Sequence, residues 1–442
     1  MASYDPPVPL AALTIAAALL RFATIDVQSY WFDEALTAKL VGMPFGDMIS
    51  AIPDTELTPP LYYVVAWPWV HVFGTHELAL RSLSALFGIA LVPVAYLVAR
   101  ELVSRAAALA TAALVAFNPL LVWYSQEARP YSLLALLCAL SLLFFLRRRL
   151  WAWAAASVLA LLTHYFAAFL VVPEAVWLVW VCRAEAGPRA RAAIAAGVVA
   201  AVGIALIPLA AHERSRIGTG YIEGVSLRRR VIGVPEDFLA GVVVKFEATW
   251  EQLLEALALV VGAVGVWLAR KAGVLVVGAL ALIAAGVPFV LAVGGADFLN
   301  TRNVIAACLP FLVVVAAGLA RARPAVAAGG IGLLCAIGVA TTAVFAADST
   351  YQRSDFRGSA QALGAARGPR ALVVPPVAGE IAYGRYLHGL SPMPATGAAV
   401  TEVDLVTPRS AKLGGAAVAR PATVPALPPP FRLAYSYTST IP

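Results

Sequence analysis

Long apolar runs, separated by short polar or Gly/Pro-marked stretches, fill most of the chain. A helix that crosses a bilayer needs about 20 mostly apolar residues. Runs of that kind lie near 8–25, 78–99, 106–123, 131–146, 150–163, 166–182, 192–211, 251–269, 273–294, 303–320 and 325–346, which predicts eleven spans. The run 60–73 (PLYYVVAWPWVHVF) is shorter and dense in Trp and Tyr, the residues of membrane interfaces. It predicts a juxtamembrane helix. Beyond residue 348 the pattern changes. Asp355–Ala366 predicts a short helix, Ala371–Val374 a buried strand, Gly379 and Pro392/Pro394 turns, and Pro421–Pro430 an extended connector. The expected fold class is an all-α polytopic membrane protein over 1–347 with a small α/β domain over 348–442.

Basic residues orient this layout. If 60–73 does not cross, then Arg100/Arg105, Arg147-Arg148-Arg149, Arg183/Arg189/Arg191, Arg270/Lys271 and Arg321/Arg323 all fall on one side. The positive-inside rule makes that side the cytoplasm. The outer side receives 26–77, the stretch around Ser125–Arg129, the Thr163-His164-Tyr165 tip, loop 212–250, Asp297–Asn303 and the tail. Loop 212–250 carries Arg214, Arg216 and Arg228–Arg230 against the rule, which long loops obey poorly. The first span has no basic n-region and no clear cleavage site, so it reads as a retained anchor.

Composition agrees. Of 442 residues 61% are hydrophobic and 13% charged, where soluble domains carry about 25% charged residues. That excludes a soluble enzyme, a disordered chain and a nucleic-acid binder. The net charge of +7 reflects the cytoplasmic arginines. Cys138, Cys182, Cys308 and Cys335 sit in apolar runs without metal-ligand spacing and read as small hydrophobes. Arginine almost replaces lysine, and Ala, Val and Gly abound. This predicts a GC-rich bacterial genome and the plasma membrane as the home.

The outer segments hold most acidic residues and nearly all histidines, and ionisable groups near a membrane mark a functional cavity. The first loop reads Tyr30-Trp31-Phe32-Asp33-Glu34-Ala35-Leu36-Thr37. A helix over 33–42 puts Asp33 and Thr37 on one face; Asp33 serves equally well as the N-cap of that helix. The loop continues Asp54-Thr55-Glu56-Leu57-Thr58-Pro59-Pro60-Leu61-Tyr62-Tyr63, where the prolines fix an extended turn. Asp33, Glu56 and His164 are the one imaginable metal trio. No His-x3-His or Cys-x2-Cys spacing supports it, and neither metal nor cofactor is assigned.

These motifs carry a resemblance. Asp33-Glu34, then Thr58-Pro59-Pro60-Leu61-Tyr62-Tyr63, Phe73-Gly74, Glu77-x-x-x-Arg81, Tyr124-Ser125-Gln126-Glu127-Ala128-Arg129-Pro130-Tyr131, Thr163-His164-Tyr165 and Asn300-Thr301-Arg302-Asn303 follow in order over about 8–320. In this the chain resembles the GT-C glycosyltransferases, within them the protein O-mannosyltransferase and aminoarabinose (lipid A) transferase group. Many members have His before Pro-Pro where this chain has Thr58, and no role is carried to that position.

The resemblance implies transfer of a sugar from a polyprenyl-phosphate carrier to a glycan, lipid or protein acceptor outside the membrane, with inversion. Asp33 matches the first-loop catalytic aspartate, a base within reach of the acceptor hydroxyl, and Glu34 would orient it. Arg81, Arg129 and Arg302 are candidates to hold the leaving phosphate through the planar guanidinium fork; snorkelling to headgroups is the alternative. Lys245 is a further phosphate candidate. Glu127 would meet the sugar hydroxyls or neutralise Arg81 or Arg302. His164 would donate to phosphate or sugar, or form a membrane-edge pair with Tyr165. Glu56, Tyr62 and Tyr165 complete the expected substrate contacts. Trp67, Trp69, Trp123 and Trp151 are expected as interface anchors. Two other readings stay open: a lipid-linked sugar flippase, which calls for access from both sides, and a non-catalytic relative with the same fold.

Overall fold

A computed structural model describes residues 8–184, 186–216, 225–241, 249–366, 368–374, 378–390, 394, 396 and 398–406. After α1 (Val8–Ala23) the first long connection holds three short helices, α2 (Phe32–Val41), α3 (Phe45–Thr55) and α4 (Leu61–Phe73). Then come α5 (Glu77–Arg100), α6 (Arg105–Phe117), α7 (Pro119–Ser125), α8 (Tyr131–Leu146), α9 (Leu150–Thr163), α10 (Ala168–Val181), α11 (Ala186–Ala205) and α12 (Ile207–Arg216). The bundle closes with α13 (Leu227–Ala240), α14 (Thr249–Ala269), α15 (Leu275–Val293), α16 (Cys308–Leu319) and α17 (Pro324–Ala347).

All eleven expected apolar runs are helical, and 60–73 forms the short helix α4. Fewer of the runs have the length of a full crossing. Among the described residues, seven stretches of 19 to 31 residues are long and apolar enough: Glu77–Arg100, Tyr165–Ala184, Ala186–Arg216, Thr249–Ala269, Leu275–Val293, Thr301–Leu319 and Pro324–Ala347. The pair α6–α7, bent by 52°, makes an eighth if it is one span. The bend has a local cause. Pro119 lacks an N–H and keeps Asn118 out of the helical region (ψ 120). The Asn118 amide then accepts from Leu121 N at 3.0 Å and donates to Phe238 O at 2.8 Å. The runs at 8–25, 131–146 and 150–163 become helices of 16, 16 and 14 residues. At 1.5 Å per residue these fall short of a hydrocarbon core about 30 Å thick.

The core lies around Thr301–Leu319, 89% of whose apolar window is buried, against 17% for Ala186–Arg216. Helix α5 packs on α6 and α8, α8 on α9, and α16 on α14, α15 and α6. Small residues allow the closest approaches: a Cβ on Gly318 would run into Gly265 O, and one on Gly338 into Phe117 O. Outward faces carry exposed Val176, Trp177, Ile194, Val260, Trp267 and Leu282. So much exposed apolar surface belongs in lipid, and the chain is a multi-pass membrane protein.

The two ends of the bundle separate as the alternation of spans requires. At one end Arg147 Nε donates to Glu101 Oε1 at 2.8 Å. At the other, His212 Nε2 and Arg216 Nε meet Asp54 Oδ1 at 3.0 and 3.2 Å, and Arg230 grips Asp297 at 2.5 Å. His212 and Arg216, despite the arginines of this stretch, therefore lie beside the first connection.

Beyond α17, Asp355 caps α18 (Phe356–Leu363) by accepting from Gly358 N at 2.9 Å. Strand β1 (Arg370–Val373) pairs in parallel with β2 (Glu402–Leu405). Only Ala371 of β1 is buried, so it is not the buried strand expected at 371–374. Gly379 lies inside α19 (Ala378–Tyr383), not in a turn, because its neighbours Glu380 and Ile381 continue a helical run. Pro392 and Pro421–Pro430 fall outside the described residues. This region docks on the first connection. Tyr386 OH accepts from Tyr30 N at 2.7 Å and donates to Glu77 at 2.6 Å, and Arg385 donates to Thr75 O at 2.7 Å.

Candidate active site

At the Asp54 end, beside the Arg216–Asp54 and Arg230–Asp297 pairs, Glu34, Glu56, Glu127 and Asp33 each meet an arginine from a segment far away in sequence. The first pair joins Arg81, in the second turn of α5, to Glu34 of α2. Arg81 Nε and Nη2 reach Glu34 at 2.8 and 2.6 Å. Arg81 Nη1 donates to the carbonyls of Ile25 (3.0 Å) and Gln28 (2.7 Å), and Nη2 to Ser29 O (2.9 Å). All five guanidinium N–H groups are thus spent on protein, and Arg81 is 1% exposed. Arg81 has no N–H left for a phosphate, which corrects its expected role. Glu34 also accepts from Ala128 N at 2.8 Å. Burial raises the Glu34 carboxyl, but the Arg81 charge more than reverses this and holds it below the ordinary range.

The second pair is Arg129 with Glu56, Nη1 and Nη2 at 2.9 and 2.8 Å. Arg129 Nη1 also faces Thr37 Oγ1 (3.1 Å) and Tyr63 OH (3.2 Å). Burial disfavours the Arg129 charge, yet Glu56 outweighs it and pushes the guanidinium well above its usual value. Glu56 is 3% exposed and committed to Arg129, so it is no free substrate contact. Tyr62 is fully buried with its hydroxyl on Ser84 at 3.0 Å. It packs the loop, and its neighbour Tyr63 is the tyrosine that reaches Arg129.

The third pair is Glu127 with Arg353, 2.7 Å apart and at 2% and 8% side-chain exposure. Segment 126–130 is the expected turn, with Arg129 N donating to Glu127 O, but Glu127 and Arg129 face different partners. Glu127 therefore pairs with neither Arg81 nor Arg302, and its Oε1 is buried without a hydrogen-bond partner among the described residues. Trp123, expected as an interface anchor, carries the Arg353 guanidinium 4.0 Å above its ring. Trp67 and Trp69 donate to Met43 O and Ala79 O, at 2.9 and 2.8 Å, and Trp151 is 57% exposed.

The fourth pair differs from the others. Asp33 Oδ2 stands 3.9 Å from Arg302 Nη1, with the side chains 23% and 19% exposed. Asp33 is the second residue of α2 and not its N-cap, which is Trp31 without a side-chain bond. Its carbonyl accepts from Thr37 Oγ1 at 2.9 Å, the i, i+4 relation expected of a helix here. Arg302 lies in the 3-10 turn Thr301–Ala307, which Asn300 caps by accepting from Arg302 N. Between α9 and α10, His164 Nδ1 accepts from Phe166 N at 3.3 Å, a bond that assigns the proton to Nε2. The His164 and Arg302 groups flank the Tyr131 ring at 5.8 and 6.0 Å. Burial, then the charges of Arg302 and Arg129, lower the His164 pKa to about 3, so its ring is neutral.

Tyr165 turns the other way and donates to Glu213 at 3.0 Å. Glu213 is fully buried, and nothing in its stretch of sequence singled it out. Lys245 lies outside the described residues. Among the described residues no three His, Cys, Asp or Glu side chains come close enough to hold a metal ion, and Asp33, Glu56 and His164 form no such group.

Residues 58–210 match the family model described as dolichyl-phosphate-mannose-protein mannosyltransferase. No curated protein matches the chain. Among solved structures, ArnT from Cupriavidus metallidurans bound to undecaprenyl phosphate is similar at a TM-score of 0.54 and 17% identity, over 85% of each chain. The archaeal oligosaccharyltransferase AglB from Archaeoglobus fulgidus, in complex with an inhibitory peptide and a dolichol-phosphate, is similar at 0.51 and 13%. That likeness covers 87% of this chain and 64% of AglB. The chain has the GT-C fold and resembles the O-mannosyltransferase and ArnT group.

Proposed function

We propose that this protein moves a sugar from a polyprenyl-phosphate carrier to a hydroxyl acceptor at the extracytoplasmic face of a bacterial plasma membrane. One observation carries the reading: of the pairs made by Glu34, Glu56, Glu127 and Asp33, three are short and buried, whereas Asp33 and Arg302 stand 3.9 Å apart with about a fifth of each side chain exposed. A buried pair braces a fold. A looser, partly exposed pair sets a base beside a cation, where both can bind and react.

In the proposed step Asp33 takes the proton of the acceptor hydroxyl as its oxygen attacks the anomeric carbon. The bond from that carbon to the phosphate oxygen breaks, and the phosphate leaves with the electron pair as polyprenyl phosphate. A single displacement inverts the centre. Arg302 and the His164 Nε2–H face the departing oxygens and gain strength as charge develops there. Arg81–Glu34 and Arg129–Glu56 hold the first connection in shape. The helical part of 1–347 acts as the catalytic unit, and the segment that carries Arg385 and Tyr386 covers the first connection.

The test is transfer from a panel of labelled undecaprenyl-phosphate sugars (mannose, arabinose, galactose, aminoarabinose) in membranes that supply the native acceptor. The wild type should glycosylate. D33N should lose about 10²–10⁴-fold, the usual worth of a general base. Label that crosses the bilayer without transfer would make the protein a flippase, and equal inactivity of both forms would make it a binding relative.

A further inference from the structure

Arg353 lies beyond the last span, in a segment where the sequence shows no motif. Its guanidinium sits 4.0 Å above the Trp123 ring and 5.7 Å from the Trp31 ring, and it pairs with Glu127 at 2.7 Å. Its backbone N donates to Gln28 Oε1 at 3.0 Å. A few residues on, Phe356 N donates to Ser29 Oγ at 3.0 Å, and Ser29 Oγ donates to Ser354 O at 3.3 Å. The strand of chain 353–356 therefore grips Gln28, Ser29 and Trp31, just before Asp33, and through Glu127 it grips the turn that carries Arg129. Glu127 keeps one oxygen, Oε1, buried and without a partner among the described residues. A buried carboxylate oxygen with no donor costs free energy unless a ligand supplies one.

We propose that Arg353 is a positioning residue for sugar transfer: stacked on Trp123, paired with Glu127 and tied by its backbone to Gln28, it fixes the 28–31 segment that leads to Asp33 and the turn that carries Arg129. The inference rests on the glycosyltransferase reading. The charged groups around Glu127 are Arg353, Glu34, Asp33 and Arg129, and the hydroxyls of Tyr62, Tyr124 and Tyr131 also feel its charge. Burial lifts the Glu127 carboxyl above its ordinary range, and Arg353 offsets only part of this. Without Arg353, burial and the two neighbouring carboxylates drive Glu127 to take up a proton.

The experiment compares wild type, R353Q, R353K, E127Q and R353Q/E127Q, with D33N as the inactive reference, in the undecaprenyl-phosphate sugar panel. Rates are taken per folded molecule, and thermal midpoints identify any variant that fails to fold. R353Q should lower kcat/KM about tenfold to a hundredfold, the worth of a hydrogen bond to a charged group. It should also move the acid limb of the pH–rate profile to higher pH. R353K, which keeps the charge and loses the planar stacking, should recover part of the rate. The double variant should be no slower than E127Q alone, since the two act as one unit. Independently of activity, infrared spectra at neutral pH should show a protonated carboxyl in R353Q that is absent from R353Q/E127Q. Additive losses, an unmoved acid limb and no such band would overturn the inference while leaving the transferase reading intact. Absence of transfer in the wild type would instead overturn the transferase reading, and with it the role in transfer; the infrared band would then decide the pairing alone.

Discussion

Residues of like chemistry have unlike duties at this site, and their surroundings decide which. Arg81 and Arg302 both lie near the Asp33 end of an apolar helix, and the sequence ranks them equally. Five protein acceptors surround Arg81, while Arg302 faces Asp33 across 3.9 Å. Removing one partner of a buried pair leaves an uncompensated charge, at a cost of about 3–5 kcal/mol. E34Q should therefore lower the thermal midpoint sharply, and E34Q/R81M less so, with KM of the folded fraction unchanged. R302Q should lower the midpoint less than E34Q and lose transfer. Equal midpoints for E34Q and R302Q in thermal unfolding would contradict this division.

His164 adds a pH dependence of definite sign. Its folded pKa of about 3 lies below the ordinary histidine value of about 6.5, because burial and nearby arginines oppose the imidazolium. The unfolded chain binds the proton that the folded chain refuses. Stability should therefore fall as pH drops from about 6.5 towards 3. Thermal midpoints of H164N, which has nothing to protonate there, should fall less over the same range. Parallel curves for the two proteins would rule this out.

Helices were legible from apolar runs alone, since every run of that kind became helical. Their lengths were less so: a run of apolar residues does not show whether Pro119 will bend it. Asp33 and Arg302 were legible because each sits where an apolar run ends. The partners were not. Glu34 with Arg81 and Glu127 with Arg353 are 47 and 226 residues apart, and a pairing of that kind exists only once helices pack. Close packing itself makes a prediction. A Cβ on Gly318 would meet backbone, Gly265 O, which cannot swing away, whereas one on Gly330 would meet only Leu319 and Val261 side chains at about 3.5 Å. G318A should lower the thermal midpoint in detergent and G330A should leave it nearly unchanged; the reverse order would show that α14 and α16 do not pack this way.

For the whole molecule, the account needs two chemically distinct ends. Asp54, about half exposed, belongs to the site end, and the Glu101–Arg147 pair to the opposite one. In intact cells a membrane-impermeant thiol reagent should label D54C and spare R147C, each made in a background without the native cysteines. Labelling of R147C alone would turn the protein over and put the site in the cytoplasm.

The central claim is that the looser, partly exposed Asp33–Arg302 pair is where the lipid-borne phosphoester docks. An experimental structure with bound undecaprenyl phosphate tests it most directly. The phosphate should lie within hydrogen-bond reach of Arg302, with Asp33 no more than a sugar's width away. A phosphate seated among the arginines of the Arg147 end, or held by neither Arg302 nor His164, would contradict the account.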